Sequence, residues 1–223
     1  MISHLALIMD GNRRWAKQNN LFAWQGHRQG AKTLEMVFEY CLEKKIKYLS
    51  LYAFSLENLQ RSSEEKKHLF GLIKESAQRA QEFIKNNVQV KFIGELSLLP
   101  EDVYASCQQL MKETQHCSAL ICNFLVCYGG QQEIISAVQK IAQEQGFQEI
   151  TKDLFKSFLW LGNIPDPEII IRTGGVKRLS NFLLFQAAYA EIRFLDIFWP
   201  SLTRQVLDSV IQDCINANKN FGK

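Results

Sequence analysis

Apolar positions along the chain follow two rhythms. Short β-branched or aromatic runs stand at Leu5–Met9, Tyr48–Phe54, Val88–Ile93, Leu120–Val126, Ile169–Ile171 and Ile192–Phe198, and runs of this length and composition predict strands. Between them, apolar residues recur every three or four positions, as at Ala31, Leu34, Val37/Phe38 and Cys41/Leu42, which predicts helices. A second helical stretch opens at the cap-like Ser62-Ser63-Glu64-Glu65 and carries Leu69, Leu72/Ile73, Ala77, Ala80 and Phe83/Ile84, so one helix is expected over 62–86. Further helices are expected near 101–115, 131–145, 152–161 and 203–218.

Six strands alternating with helices predict an α/β fold. The expected architecture is a single domain over 1–223, with a mostly parallel six-stranded sheet flanked by helices. In such sheets ligands sit outside the carboxyl ends of the strands, so polar clusters that follow strand ends are the places to look for chemistry.

Composition narrows the class. With 223 residues, 47% apolar and 22% charged, the chain is neither disordered nor fibrous, and 12 Gly with 4 Pro are too few for a turn-dense sandwich. Phenylalanine, at 15, outnumbers glycine. The most apolar stretch, Ala119 to Tyr128, is far short of the roughly 20 residues that span a bilayer, and the amino-terminal segment does not read as a signal peptide. Six cysteines without a C-x-x-C pair are expected as buried reduced thiols in a cytoplasmic protein. A net charge of +3 gives no reason to expect a nucleic-acid partner.

The distribution of charge says more than its sum. After the first strand comes Asp10-Gly11-Asn12-Arg13-Arg14-Trp15, where a strand should turn into a helix. Glycine admits a group close to the backbone, helix-start amides attract anions, and arginines offer forked donors to phosphate oxygens. An acid in such company makes sense if a hard cation such as Mg²⁺ bridges Asp10 and the phosphates. After the second strand, Ser55, Glu57, Asn58 and Arg61 supply a hydroxyl, a carboxylate, an amide and another phosphate donor. After the fourth, Tyr128-Gly129-Gly130 permits a close approach of backbone. After the fifth, Arg172, Gly174, Gly175, Lys177, Arg178 and Ser180 form a second anion site ahead of what reads as an apolar helix. An arginine ending a buried strand requires a partner. No G-x-x-x-x-G-K-S/T, G-x-G-x-x-G or G-x-S-x-G occurs, and the four histidines have no metal-ligand spacing. Taken alone, each cluster is also compatible with a solvated loop; together they point to two phosphorylated substrates.

The block His4-x4-Met9-Asp10-Gly11-Asn12-Arg13-Arg14-Trp15-Ala16 with Gly26-His27-x-x-Gly30 resembles the opening motif of the cis-prenyltransferases. Leu51-Tyr52-Ala53-Phe54-Ser55-x-Glu57-Asn58, Ile171-Arg172-Thr173-Gly174-Gly175, Arg178-x-Ser180-Asn181-Phe182 and Tyr189-Ala190-Glu191 match later blocks in order, over nearly the whole chain. The resemblance implies condensation of isopentenyl diphosphate onto an allylic diphosphate, usually farnesyl diphosphate, with cis double bonds formed, with Mg²⁺, in a homodimer. It implies that Asp10 holds Mg²⁺ and assists departure of the allylic diphosphate. Gly11, Asn12, Arg13, Arg14 and His27 would cradle that group, with Trp15 lining the site. Ser55, Leu56, Glu57, Asn58 and Arg61 would position the reacting ends, Asn58 being one candidate proton acceptor and pyrophosphate the other. Arg172, Arg178, Leu179 and Ser180 would bind isopentenyl diphosphate, and Glu191 would be a second metal ligand. The product, a long polyprenyl diphosphate such as the undecaprenyl carrier precursor of the cell wall, would occupy an apolar tunnel between sheet and helices, with helix 62–86 and strand 120–126 as expected walls. Its delivery implies peripheral membrane contact.

The sequence departs from the family pattern in places. Ala23 replaces an arginine, leaving Lys17 or Arg28 to supply its charge; Leu59 replaces an aromatic residue; Val176-Lys177 replaces Glu-His; and Glu168 replaces an Asp. Glu191 begins a strand, so a metal role requires a loop or another subunit to bring it in. Two other readings remain open at this point. One is a non-catalytic partner subunit of the same fold, against which the retained Asp10, Asn12, Arg14, Arg172, Arg178, Ser180 and Glu191 argue. The other is a nucleotide-phosphate enzyme or nucleic-acid binder, whose glycine motifs or continuous basic face are not seen.

Overall fold

Strands that are apolar on both faces need cover on both, and the sheet has it. The computed structural model describes residues 2–144 and 149–216. Strands β1 (His4–Ile8), β2 (Tyr48–Ser55), β3 (Val88–Ile93), β4 (Leu120–Tyr128), β5 (Ile169–Arg172) and β6 (Glu191–Phe194) form one sheet in the order β3-β4-β2-β1-β5-β6. Every pairing is parallel, where a mostly parallel sheet was expected. Successive residues feed opposite cores. Leu5, Leu7, Leu49, Leu51, Phe124 and Ile171 pack into the larger one, and Ala6, Ile8, Leu125, Ile170 and Phe182 into the smaller.

Eight α-helices join the strands among the described residues: α1 (Asn12–Gln18), α2 (Ala23–Glu43), α3 (Ser63–Ala77), α4 (Ala80–Lys85), α5 (Glu101–Thr114), α6 (Gly130–Glu144), α7 (Lys152–Phe158) and α8 (Arg204–Asn216). The ends of the helices expected over 131–145 and 203–218 lie outside the described residues. All six cysteines are buried and unpaired. No helix among the described residues is long and apolar enough to cross a membrane.

Three expectations need correction. The helix read over 62–86 is two, α3 and α4, parted at Gln78-Arg79. Arg79 pairs locally with Glu82 (3.0 Å) and, across to α2, with Glu35 (2.7 Å), a tertiary pairing that an unbroken apolar rhythm does not reveal. The apolar helix expected after Ser180 is a chain of turns ending in a short 3-10 segment, Gln186–Tyr189. Ser180, Asn181 and Leu183 all have positive φ (51°, 66° and 45°), a conformation no α-helix contains. Strand β6 stops at Phe194 rather than Phe198, because Leu195 and Ile197 turn their carbonyls to accept the amides of Gly175 and Gly174 (2.8 and 2.7 Å).

His4, on the buried central strand, is fixed by polar partners. Its Nδ1 lies 2.6 Å from the Pro165 carbonyl, so Nδ1 carries the proton, and Nε2 accepts from the Ser50 hydroxyl at 2.8 Å. Burial pushes its pKa down to about 4. Between that value and the ordinary 6.5 the unfolded chain binds the proton more tightly. This histidine therefore makes stability fall as pH drops through that window. Urea midpoints between pH 7 and 4 should show this slope, and His4→Gln should flatten it.

Candidate active site

Strand β1 lies between β2 and β5: the chain passes from β1 to β2 toward one edge of the sheet and crosses from β4 to β5 on the other side. A crevice opens at the carboxyl ends there. Asp10 follows β1, Ser55 ends β2 and Arg172 ends β5, so the topology alone brings three sequence clusters to one mouth.

Asp10 is the centre of the site. Arg14 donates to its Oδ1 (3.0 Å) and Arg172 to its Oδ2 (2.9 Å). Its carbonyl is fixed by the Thr173 hydroxyl (2.7 Å) and the Trp199 amide (3.0 Å). Arg172, buried at the end of β5, has in Asp10 the partner its position demanded. Its other nitrogen donates to the Arg178 carbonyl (2.6 Å) and to Ser180 Oγ (2.7 Å), which also accepts from Arg178 Nε (3.1 Å). Arg14 also donates to the Gly174 carbonyl (2.6 Å). The loops after β1 and β5 are thus stitched into one charged surface. Gly11 makes this possible: at φ +108° a Cβ would lie 2.7 Å from the Phe198 ring.

The loop after β2 is held by reciprocal bonds. The Asn58 amide donates to Ser55 Oγ (3.3 Å), and the Ser55 amide donates to Asn58 Oδ1 (3.2 Å). The only acceptor atom of the Asn58 side chain is therefore engaged by backbone. Glu57 accepts from Asn181 Nδ2 at 3.0 Å. Burial raises the pKa of its carboxyl, but hydrogen bonds from Asn181, its own amide and Ser55 outweigh that and hold it below the usual range. Arg61 donates to Glu65 (2.8 Å), whose carboxylate also lies 3.6 Å from Arg13 and 3.9 Å from His27 Nε2. Burial, then the charge of Arg61, lowers the His27 pKa to about 4, so the ring is neutral near pH 7.

Two cavities meet at Met9, Asp10, Asn12, His27 and Arg61. One, of about 770 Å³, is lined by Gly11, Arg13, Arg14, Lys17 and Ala23. The other, of about 720 Å³, passes Ser55, Glu57, Asn58, Arg172, Arg178 and Ser180, then runs down the sheet face between Leu34, Leu69, Ile73, Phe83, Phe92 and Phe124. Phe124 is paired with Leu51, well before the end of β2, so the apolar part reaches mid-sheet. Phe92 and Phe124 stack there at 5.4 Å, and Phe38 meets Phe83 and Phe124 edge-on. An apolar space between sheet and helices was expected, and its walls include α3 and β4 as proposed.

The remaining expected residues fall differently. Trp15, Leu56 and Leu179 line neither cavity; Leu56 packs on the larger core and Leu179 on the smaller. Lys17 shares the cavity of Ala23, which Arg28 does not. Glu191 sits at the amino end of β6, level with Ile169, where it pairs with Arg193 at 3.1 Å. Within one chain the sheet separates it from Asp10. Sequence reasoning missed Glu65 as the brace for three cationic groups, because the capping pattern accounted for it. It also missed Asn181, which receives the close approach expected of Gly129-Gly130: its carbonyl accepts the Gly130 amide (2.7 Å) and its Oδ1 the Gln131 amide (2.8 Å).

Two buried nitrogens facing the cavities, His27 Nε2 and Arg172 Nε, have no hydrogen-bond partner within the chain, and phosphate oxygens are acceptors that would satisfy N–H groups there. No cluster of three or more His, Cys, Asp or Glu exists among the described residues. Asp10, the acid that lines both cavities, is the residue that would hold a hard cation such as Mg²⁺, with diphosphate and water completing its shell.

Comparison with known proteins agrees with this geometry. The undecaprenyl diphosphate synthase family of prenyltransferases matches residues 8–222. A tritrans,polycis-undecaprenyl-diphosphate synthase (geranylgeranyl-diphosphate specific) of Methanopyrus kandleri is 40% identical over 99% of this chain and 84% of its own. A ditrans,polycis-undecaprenyl-diphosphate synthase ((2E,6E)-farnesyl-diphosphate specific) of Micrococcus luteus is also 40% identical, over 98% and 90%. The crystal structure of lavandulyl diphosphate synthase from Lavandula x intermedia, in complex with dimethylallyl diphosphate, superimposes with a TM-score of 0.95 at 27% identity, covering 100% of this chain and 98% of that one. The chain belongs to the undecaprenyl diphosphate synthase family and is a cis-prenyltransferase.

Proposed function

We propose that this cis-prenyltransferase extends farnesyl diphosphate by successive additions of isopentenyl diphosphate, giving a long polyprenyl diphosphate such as undecaprenyl diphosphate, a lipid-carrier precursor for the cell wall. The observation that carries the reading is the continuity of one cavity from an arginine-lined mouth to a floor of phenylalanines. A molecule with a diphosphate head and a hydrocarbon tail matches both ends.

In this reading Arg13, Arg14, Lys17, His27 and the Gly11–Asn12 backbone hold the allylic diphosphate, and Arg172, Arg178 and Ser180 hold that of isopentenyl diphosphate. Mg²⁺ on Asp10 would neutralise charge developing on the leaving group. Arg14, pre-aligned by Asp10, adds donors that need no rearrangement as the allylic carbon–oxygen bond breaks, and Arg172, aligned by the same carboxylate, holds the isopentenyl diphosphate beside it. The isopentenyl double bond attacks the allylic cation, and a proton then leaves the adjacent carbon. The engagement of Asn58 Oδ1 by the Ser55 amide favours diphosphate oxygen as acceptor, with Asn58 as a positioning group. The apolar walls exclude water from the cation.

Glu191 as a metal ligand requires a second copy of the chain, and we infer a homodimer, with exposed Ile135 and Val138 on α6 available to it. The reading is tested by incubating purified chain with Mg²⁺, labelled isopentenyl diphosphate and either farnesyl or geranylgeranyl diphosphate. The expected result is a ladder of extended products, with farnesyl diphosphate the better starter. No extension with either would overturn it.

A further inference from the structure

We propose that the corner joining α1 to α2 is a docking surface for an anionic lipid bilayer. Four consecutive exposed residues, Leu21-Phe22-Ala23-Trp24, form it. Phe22 is 73% exposed, and Leu21 and Trp24 are exposed by 38% and 39%. Apolar side chains rarely stand together in water without a role. The corner is rigid: the Leu21 amide donates to the Ala16 carbonyl (2.8 Å), and the Phe22 amide to Gln25 Oε1 (2.9 Å). Trp24 stacks on His68 of α3 at 6.2 Å. The chain thus spends structure on presenting these rings outward.

Charge identifies the occupant. From Gly11 to Lys32 the sequence holds five Lys or Arg and no acid. Arg28 and Lys32 follow Trp24 at successive four-residue steps and are exposed, as are Lys17 on α1 and Lys67 on α3; Glu64 is the exposed acid at the start of α3. Aromatic and aliphatic side chains ringed by bases match an interface with anionic headgroups. The other exposed apolar pair, Ile135 and Val138 on α6, has only Lys140 as a base on its helix, and so carries no such signature. Position adds to the case, because Leu21 and Ala23 also line the diphosphate cavity with Arg13 and Lys17. The corner is the rim of the site. Docking rests on this surface alone; the benefit, passing an apolar product directly into lipid, rests on the proposed reaction.

The test uses the full chain without substrate. Vesicles of phosphatidylcholine alone, or mixed equally with phosphatidylglycerol, are sedimented with the protein. Binding is expected to the mixed vesicles, to weaken as salt rises, and to fall by about tenfold or more in Phe22→Ser/Trp24→Ser, while extension in detergent is retained. As a readout that needs no variant, lipids brominated on the acyl chain should quench tryptophan fluorescence of the wild type. Equal binding to both vesicles, binding to neither, undiminished binding of the double variant, or absent quenching would overturn the proposal. So would dissociation of a lipid-free dimer by the double variant, which would make the corner a protein interface. Failure of extension with intact vesicle binding would instead count against the reaction.

Discussion

Asp10→Ala is expected to lower kcat for isopentenyl addition by about 10³-fold or more. Three effects converge on one carboxylate. It is, among the described residues, the one acid that lines both cavities, where Mg²⁺ is proposed to sit, and it aligns Arg14 through Oδ1 and Arg172 through Oδ2. Without it both guanidiniums lose the bonds that aim them, Arg14 at the leaving diphosphate and Arg172 at that of isopentenyl diphosphate. The main chain should stay in place, because its carbonyl is held independently by Thr173 and Trp199. The alanine variant, lacking the carboxylate, also leaves buried Arg172 without a counter-charge, which costs stability. Asp10→Asn also lacks the charge but keeps shape and one hydrogen-bond acceptor for the guanidiniums, so it should lose less stability than alanine while kcat still falls by about two orders of magnitude or more. Steady-state kinetics beside urea unfolding will distinguish them. Turnover near wild type in either variant would remove Asp10 from the chemistry.

Gly26→Ala is expected to cost about 3 kcal/mol. A Cβ at Gly26 would stand 2.2 Å from the Asn12 carbonyl oxygen and 3.0 Å from Ala16 Cβ, atoms of the neighbouring α1. Backbone cannot swing aside as a long side chain can, so α1 would have to lift from α2. Because α1 carries Asn12, Arg13 and Arg14, the same displacement should weaken diphosphate binding and raise KM. Gly71 in α3 is the control. Nothing lies within 4 Å of its added Cβ, so Gly71→Ala should gain up to about 1 kcal/mol from helix propensity alone. Opposite signs in urea titrations of the two variants would show that close approach, rather than glycine content, sets the cost.

The pattern of apolar residues made the fold legible, since parallel strands buried on both faces must be nearly continuous apolar runs. The site was legible for a related reason. Charged residues that follow such runs stand out against them, and Arg172, isolated after three isoleucines, already required a partner. What the sequence hid depended on distant partners. The break between α3 and α4 falls where Arg79 pairs with Glu35 on α2, and no Gly or Pro marks it. The turns after Ser180 run through left-handed positions held by non-glycine residues, against local preference. Glu65 looked like part of a cap, and only the approach of α3 to the mouth shows it gathering Arg13, His27 and Arg61. Glu191 was the assignment least at ease with the sheet rule, and the fold keeps it at the far end of the sheet from Asp10.

The central claim is that a diphosphate sits at the Asp10 mouth while its hydrocarbon runs down the sheet face. A crystal structure with an unreactive thio analogue of farnesyl diphosphate and Mg²⁺ tests it most directly. The expected result places the diphosphate against Gly11, Arg13, Arg14 and His27, and the chain along Leu34, Leu69 and Ile73 toward Phe124. A chain lying outside that cavity, or a diphosphate bound away from Asp10, would contradict the account.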